Sequence, residues 1–130
     1  MRAGSRLRPG TERNLDKSTP PAPYTFIPDV RSAAPEVPPD SILSRTVYVD
    51  DIVKVTAFTF AAGQELSEHT ASRPAILHFL DGEARLTLGK DTKRATAGSW
   101  AHMTANLVHS IRAETPVSML LLLLKAPEGD

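Results

Sequence analysis

The stretch Ala75-Ile76-Leu77-His78-Phe79-Leu80-Asp81-Gly82-Glu83-Ala84-Arg85-Leu86-Thr87-Leu88 decides the fold class. Apolar residues fall at every second place on both sides of Asp81-Gly82, a dipeptide suited to a tight turn, so the stretch reads as two β-strands joined in a hairpin. The same grammar continues in both directions. Val47-Tyr48-Val49 and Ile52 to Phe60 are rich in branched and aromatic residues, with Asp50-Asp51 between them as turn formers. Downstream, Gly89-Lys90-Asp91 makes the next turn, Arg94 to Ala97 a short strand, and Gly98 opens Ser99-Trp100-Ala101-His102-Met103. Ile111-Arg112-Ala113 and Val117 to Lys125 complete the series. Short strands at about ten-residue spacing predict an all-β antiparallel sandwich or barrel. No internal repeat is visible, and no helix is expected beyond a turn near Ser41.

Upstream the composition changes. Eight of the 11 prolines lie within the first 39 residues, and Thr11 to Ala62 contains no glycine. Proline removes backbone donors and favours extended chain, so residues 1–40 read as a Pro-rich extended arm and residues 41–130 as one barrel domain. Residues 1–19 are expected to be disordered. Tyr24 to Val30 carries aromatic and branched side chains that are costly to leave in water, which predicts an arm docked on the body or on a second subunit.

Bulk composition removes several functions. The 130 residues are 41% hydrophobic and 23% charged, enough for one packed core. Lys+Arg 15 against Asp+Glu 15 supplies no overall field, so neither nucleic acid nor membrane is an expected partner. The chain has no cysteine, which excludes thiolate chemistry and leaves His, carboxylate and water as metal donors. The basic start leads into no apolar segment and Met119 to Leu124 is far shorter than the roughly 18 residues a span requires, so a cytoplasmic location is expected.

All four histidines, His69, His78, His102 and His109, fall in the β region. Neutral imidazole is the usual nitrogen ligand of first-row metals, and the inward side of a barrel brings ligands together from separate strands. His102 shares a strand face with Trp100. Alternation sets Leu77 and Phe79 on one face and His78 on the other. Glu65, four residues before His69, shares its face on a regular strand and is a general-base candidate, with a solvated loop as the plain alternative. Ser99 and Ser110 are each adjacent in sequence to no histidine on the same strand face, and a hydrolase triad is rejected.

The segment from Gly63 through His69 to Gly82 resembles the first motif of the cupin superfamily: a Gly, five residues, His-x-His, three or four residues, a Glu, six residues and a Gly. Gly98 and His109 occupy the opening and metal-ligand positions of the second motif. The resemblance covers roughly residues 45–125 and implies a double-stranded β-helix, the jelly-roll barrel of RmlC-like cupins. It also implies a homodimer. The chain departs from the pattern at Ala71 and Ala75, which stand where the second His and the Glu belong, and Thr104, Asn106 and Ala113 replace a Pro, a Gly and an Asn.

Two functions follow as expectations. One is a barrel that binds a divalent metal (Fe, Mn, Ni or Zn) through His69, His109, His102 and His78 and acts on a small organic molecule as an oxygenase-like or isomerase/lyase-like enzyme. Its pocket would be lined by Leu77, Phe79 and Trp100, with Arg73 at the mouth to clamp an anionic group. The other is a non-catalytic small-molecule binding or sensing barrel with a weakened or absent metal site.

Overall fold

The branched and aromatic runs form nine strands: β1 (Ile42–Val49), β2 (Val53–Phe60), β3 (Glu65–His69), β4 (Ala75–Asp81), β5 (Ala84–Leu88), β6 (Asp91–Ala95), β7 (Trp100–Met103), β8 (His109–Ala113) and β9 (Val117–Leu124). They belong to a computed structural model in which residues 22–125 are described. The basic start of the chain, with the disorder expected over residues 1–19, lies outside the described residues. The strands make two antiparallel sheets, one in the order β1-β2-β9-β4-β7 and one in the order β3-β8-β5-β6. This is the expected all-β jelly-roll barrel.

The inward faces of both sheets supply the core. Phe60, Leu77, Phe79, Ile111, Val117 and Met119 are its largest fully buried side chains. Each contributes about 1.5–3 kcal/mol by leaving water. Aliphatic bulk, with only two buried Phe rings among these six, fills the space between the sheets.

One expectation is overturned. Asp81-Gly82 does not close a hairpin, because β4 pairs with β7 and β9 while β5 pairs with β6 and β8. The turn carries the chain from one sheet to the other, so the apolar faces of β4 and β5 meet across the core instead of lying edge to edge. Gly82 makes this crossing possible: its φ is 91°, and a Cβ there would collide with the Pro116 carbonyl oxygen. β6 also begins earlier than expected, at Asp91, because Leu88 and Asp91 pair directly around Gly89-Lys90.

Asp50 ends β1 as anticipated. Its carboxylate accepts the Ile52 and Val53 amides at 2.8 and 2.9 Å and the Tyr48 hydroxyl at 2.7 Å. These bonds hold the Asp50 carboxyl below its ordinary value, the Tyr48 hydroxyl first among the causes.

The described part of the arm runs over the outward face of the larger sheet. Thr25, Ile27 and Val30 border one hollow of about 340 Å³ together with Val47, Tyr48 and Val55, and Arg45 donates to the Ala33 carbonyl at 3.3 Å. The described part of the arm holds a 3-10 turn, Val30–Ala33, capped by the Asp29 side chain; the turn expected near Ser41 is present at Pro39-Asp40, where Asp40 has a φ of 62°. Ala57 and Leu120 are paired neighbours on the face turned away from the core, yet both are buried.

Candidate functional site

The two histidines that keep cupin-motif positions come together. His69 ends β3 and His109 begins β8, and they are direct cross-strand partners with ring centroids 4.1 Å apart and planes tilted by 59°. Leu66 pairs with Ile111 and points inward, so strict alternation would turn His69 outward. A register shift between Leu66 and His69 inserts the irregularity that returns the imidazole to the side of His109.

That shift also settles Glu65. The carboxylate does not share the His69 face; it lies opposite Arg112 on the exposed side of the sheet, 3.8 Å from its guanidinium. The expected general base is therefore a surface ion pair, because the bulge breaks the parity on which the expectation rested.

Both rings are oriented by backbone. His69 Nδ1 lies 2.7 Å from the Ser67 carbonyl oxygen and His109 Nδ1 lies 2.9 Å from that of Leu107. A carbonyl oxygen brings no proton, so each Nδ1 is the donor and the neutral ring keeps its lone pair on Nε2. His69 is exposed and His109 is 5% exposed. Burial pushes the His109 imidazole below its ordinary value, the bond to Leu107 pulls the other way, and neighbouring His69 lowers it further. The Asn106 amide donates to the Ala71 carbonyl at 2.7 Å, so the turn after β3 and the turn before β8 are tied together beside the pair.

His78 and His102 are elsewhere. His78 pairs with Leu120 and Trp100, and His102 with Ile76, all on the face of the larger sheet turned away from the core. The expected four-histidine set is thus divided by the thickness of a sheet, since Leu77 and Phe79 take the inward positions of β4. Leu77 is packed in the core at 1% exposure. Arg73 is half-buried in the turn between β3 and β4. Phe79 and Trp100 border a cleft of about 430 Å³ that opens between β6 and β7.

Among the described residues no group of three or more His, Cys, Asp or Glu side chains is placed to hold a metal. The donor chemistry of the pair suits a divalent metal in part: two preoriented Nε2 lone pairs are present, while Ala71 and Ala75 bring no donor atom. The carbonyls of Ser67 and Leu107, which orient the rings, carry no signal in the sequence because any residue has one.

No family model matches the sequence, and no curated protein matches it. Solved structures do. The chain is similar to a conserved protein of unknown function from Streptococcus pyogenes, with 26% identity over 82% of this chain and 92% of that one and a TM-score of 0.70. It is similar to a cupin superfamily protein from Desulfitobacterium hafniense, with 22% identity over 79% and 94% of the two chains and a TM-score of 0.71. A cupin 2 conserved barrel domain protein from Leptotrichia buccalis shares 28% identity over 69% of this chain and 44% of that one, at a TM-score of 0.64. Among the described residues no helix is long and apolar enough to cross a membrane.

Proposed function

We propose that this barrel, similar in structure to cupin superfamily proteins, binds a small organic molecule beside a divalent metal held by the Nε2 atoms of His69 and His109. The observation that carries this reading is the pairing of two imidazoles at 4.1 Å with both Nδ1 atoms bonded to carbonyl oxygens, which leaves both Nε2 atoms for a ligand. A metal there would supply Lewis acidity toward an oxygen donor of the bound molecule. The protein's own part is to orient the two rings, to keep the His109 imidazole neutral by burial, and to surround the site with the apolar side chains Leu66, Leu88 and Ile111. Zn²⁺, Ni²⁺, Mn²⁺ and Fe²⁺ all accept imidazole.

Calorimetric titration of Zn²⁺ into metal-free protein tests this reading. One site per chain is expected, weakened at least tenfold in His69→Ala and in His109→Ala. Unchanged binding in both variants would refute it.

Ala71 and Ala75 favour a second reading, a metal-free ligand cup without turnover, because two imidazoles fall one short of the roughly three protein ligands of catalytic zinc sites. In this reading the Nε2 lone pairs accept hydrogen bonds from the ligand directly.

We also propose a homodimer. Tyr24 and Phe26 on the arm, both 76% exposed, and Ile52 at 69% on the adjoining β1–β2 turn present apolar side chains that a second copy of the chain would cover. A cytoplasmic location fits this reading and the absence of cysteine.

A further inference from the structure

The 430 Å³ cleft lies where the two sheets part, between β6, which pairs only with β5, and β7, which pairs only with β4. Its floor is the inward face of the barrel, Phe79, Leu86 and Leu88, and its lip carries Trp100 and His102. Its size is at the smaller end of the roughly 300–1,000 Å³ of small-molecule sites, and its lining is mostly apolar, as theirs are.

Two basic side chains, Lys93 and Arg94, also line it. Lys93 is the cross-strand partner of Leu86, so its side chain leaves β6 on the core side and at the cleft. It makes no ion pair among the described residues, whereas its neighbour Arg94 is held by Glu83 at 2.7 Å. An ammonium group beside an apolar floor, with no carboxylate of its own, has a place for an anion from outside the chain. Neither His69 nor His109 lines the cleft, although Leu88 on its floor is the direct cross-strand partner of His109.

We infer that this cleft is the ligand site, and that it takes a small carboxylate with an apolar body, the body lying on Phe79, Leu86 and Leu88 and the carboxylate pairing with Lys93. The inference deepens the ligand-binding reading above and is independent of the metal. Lys93 is exposed at the cleft, and its charge-assisted pairing favours a carboxylate over its uncharged amide.

Trp100 is the sole tryptophan and stands on the lip, so its fluorescence reports occupancy. The full-length protein is titrated with 3-phenylpropanoate and, in parallel, with 3-phenylpropanamide. Saturable binding of the carboxylate is expected, at least tenfold tighter than of the amide. Lys93→Gln is expected to weaken the carboxylate tenfold or more without altering the amide, and Lys93→Arg to restore it. His69→Ala/His109→Ala is expected to keep the carboxylate preference, so a failure of the metal reading leaves this result standing. Equal affinity for the two probes, an unchanged preference in Lys93→Gln, or no saturable binding of either probe to folded protein would overturn the inference.

Discussion

His109 Nδ1 donates to the carbonyl oxygen of Leu107, two residues earlier in the chain, at 2.9 Å. The bond selects the tautomer in which Nε2 is unprotonated, and Ser67 does the same for His69 at 2.7 Å. Nitrogen chemical shifts of both rings at neutral pH are therefore expected to show a protonated Nδ1 and a bare Nε2. Two rings protonated on Nε2 would contradict the site as described.

Stability should depend on His109 in acid. Its folded value lies below the ordinary 6.5, with burial the largest cause. Its contribution is fully present above the unfolded value. As pH falls through that value the unfolded chain takes up a proton that the folded chain resists, and the contribution is lost down to the folded value. Urea midpoints of the metal-free protein are expected to fall between pH 7.5 and pH 5.5 by more in the wild type than in His109→Gln. An equal fall in both would remove His109 as the cause.

Gly82→Ala should damage the fold from the turn between β4 and β5. A side chain at φ 91° is strained by about 1–3 kcal/mol, and the Cβ also overlaps the Pro116 carbonyl, which is backbone and cannot move aside cheaply. The thermal midpoint is expected to drop by at least about 5 °C, given roughly 4–8 °C per kcal/mol for a domain of this size. A drop below about 2 °C would mean that the crossing is looser than described.

Removal of residues 1–40 should uncover Val47, Tyr48 and Val55 on the larger sheet. The truncated chain is expected to lose solubility and to change its mass by light scattering, from dimer to monomer or aggregate. A truncated chain that stays as soluble and keeps the same oligomeric state would show that the arm has no part in assembly.

These outcomes bear on how far the residues alone reveal the molecule. The alternation through Leu77, Phe79, Leu86 and Leu88 discloses strands and their buried faces, because one face of each strand must leave water. It does not disclose partners: the hairpin reading of Asp81-Gly82 is locally sound, and only the packing of two sheets shows that the turn crosses between them. The motif spacing around Gly63, His69 and His109 identifies the histidine pair. Alternation alone would have turned His69 away, since a bulge after Leu66 leaves no mark in a single sequence. Lys93 is not legible as an inward residue, because the spacing predicts a strand that begins at Arg94; the pairing with Leu86 across Gly89-Lys90 places it on the core side.

The central claim is that His69 and His109 together hold a metal. Elemental analysis of protein purified without chelator or a metal-affinity tag, beside His69→Ala/His109→Ala prepared in the same way, tests it most directly. Near-stoichiometric divalent metal in the wild type and its loss in the folded variant is the expected result. No metal in the folded wild type, or equal metal in both proteins, would contradict the claim.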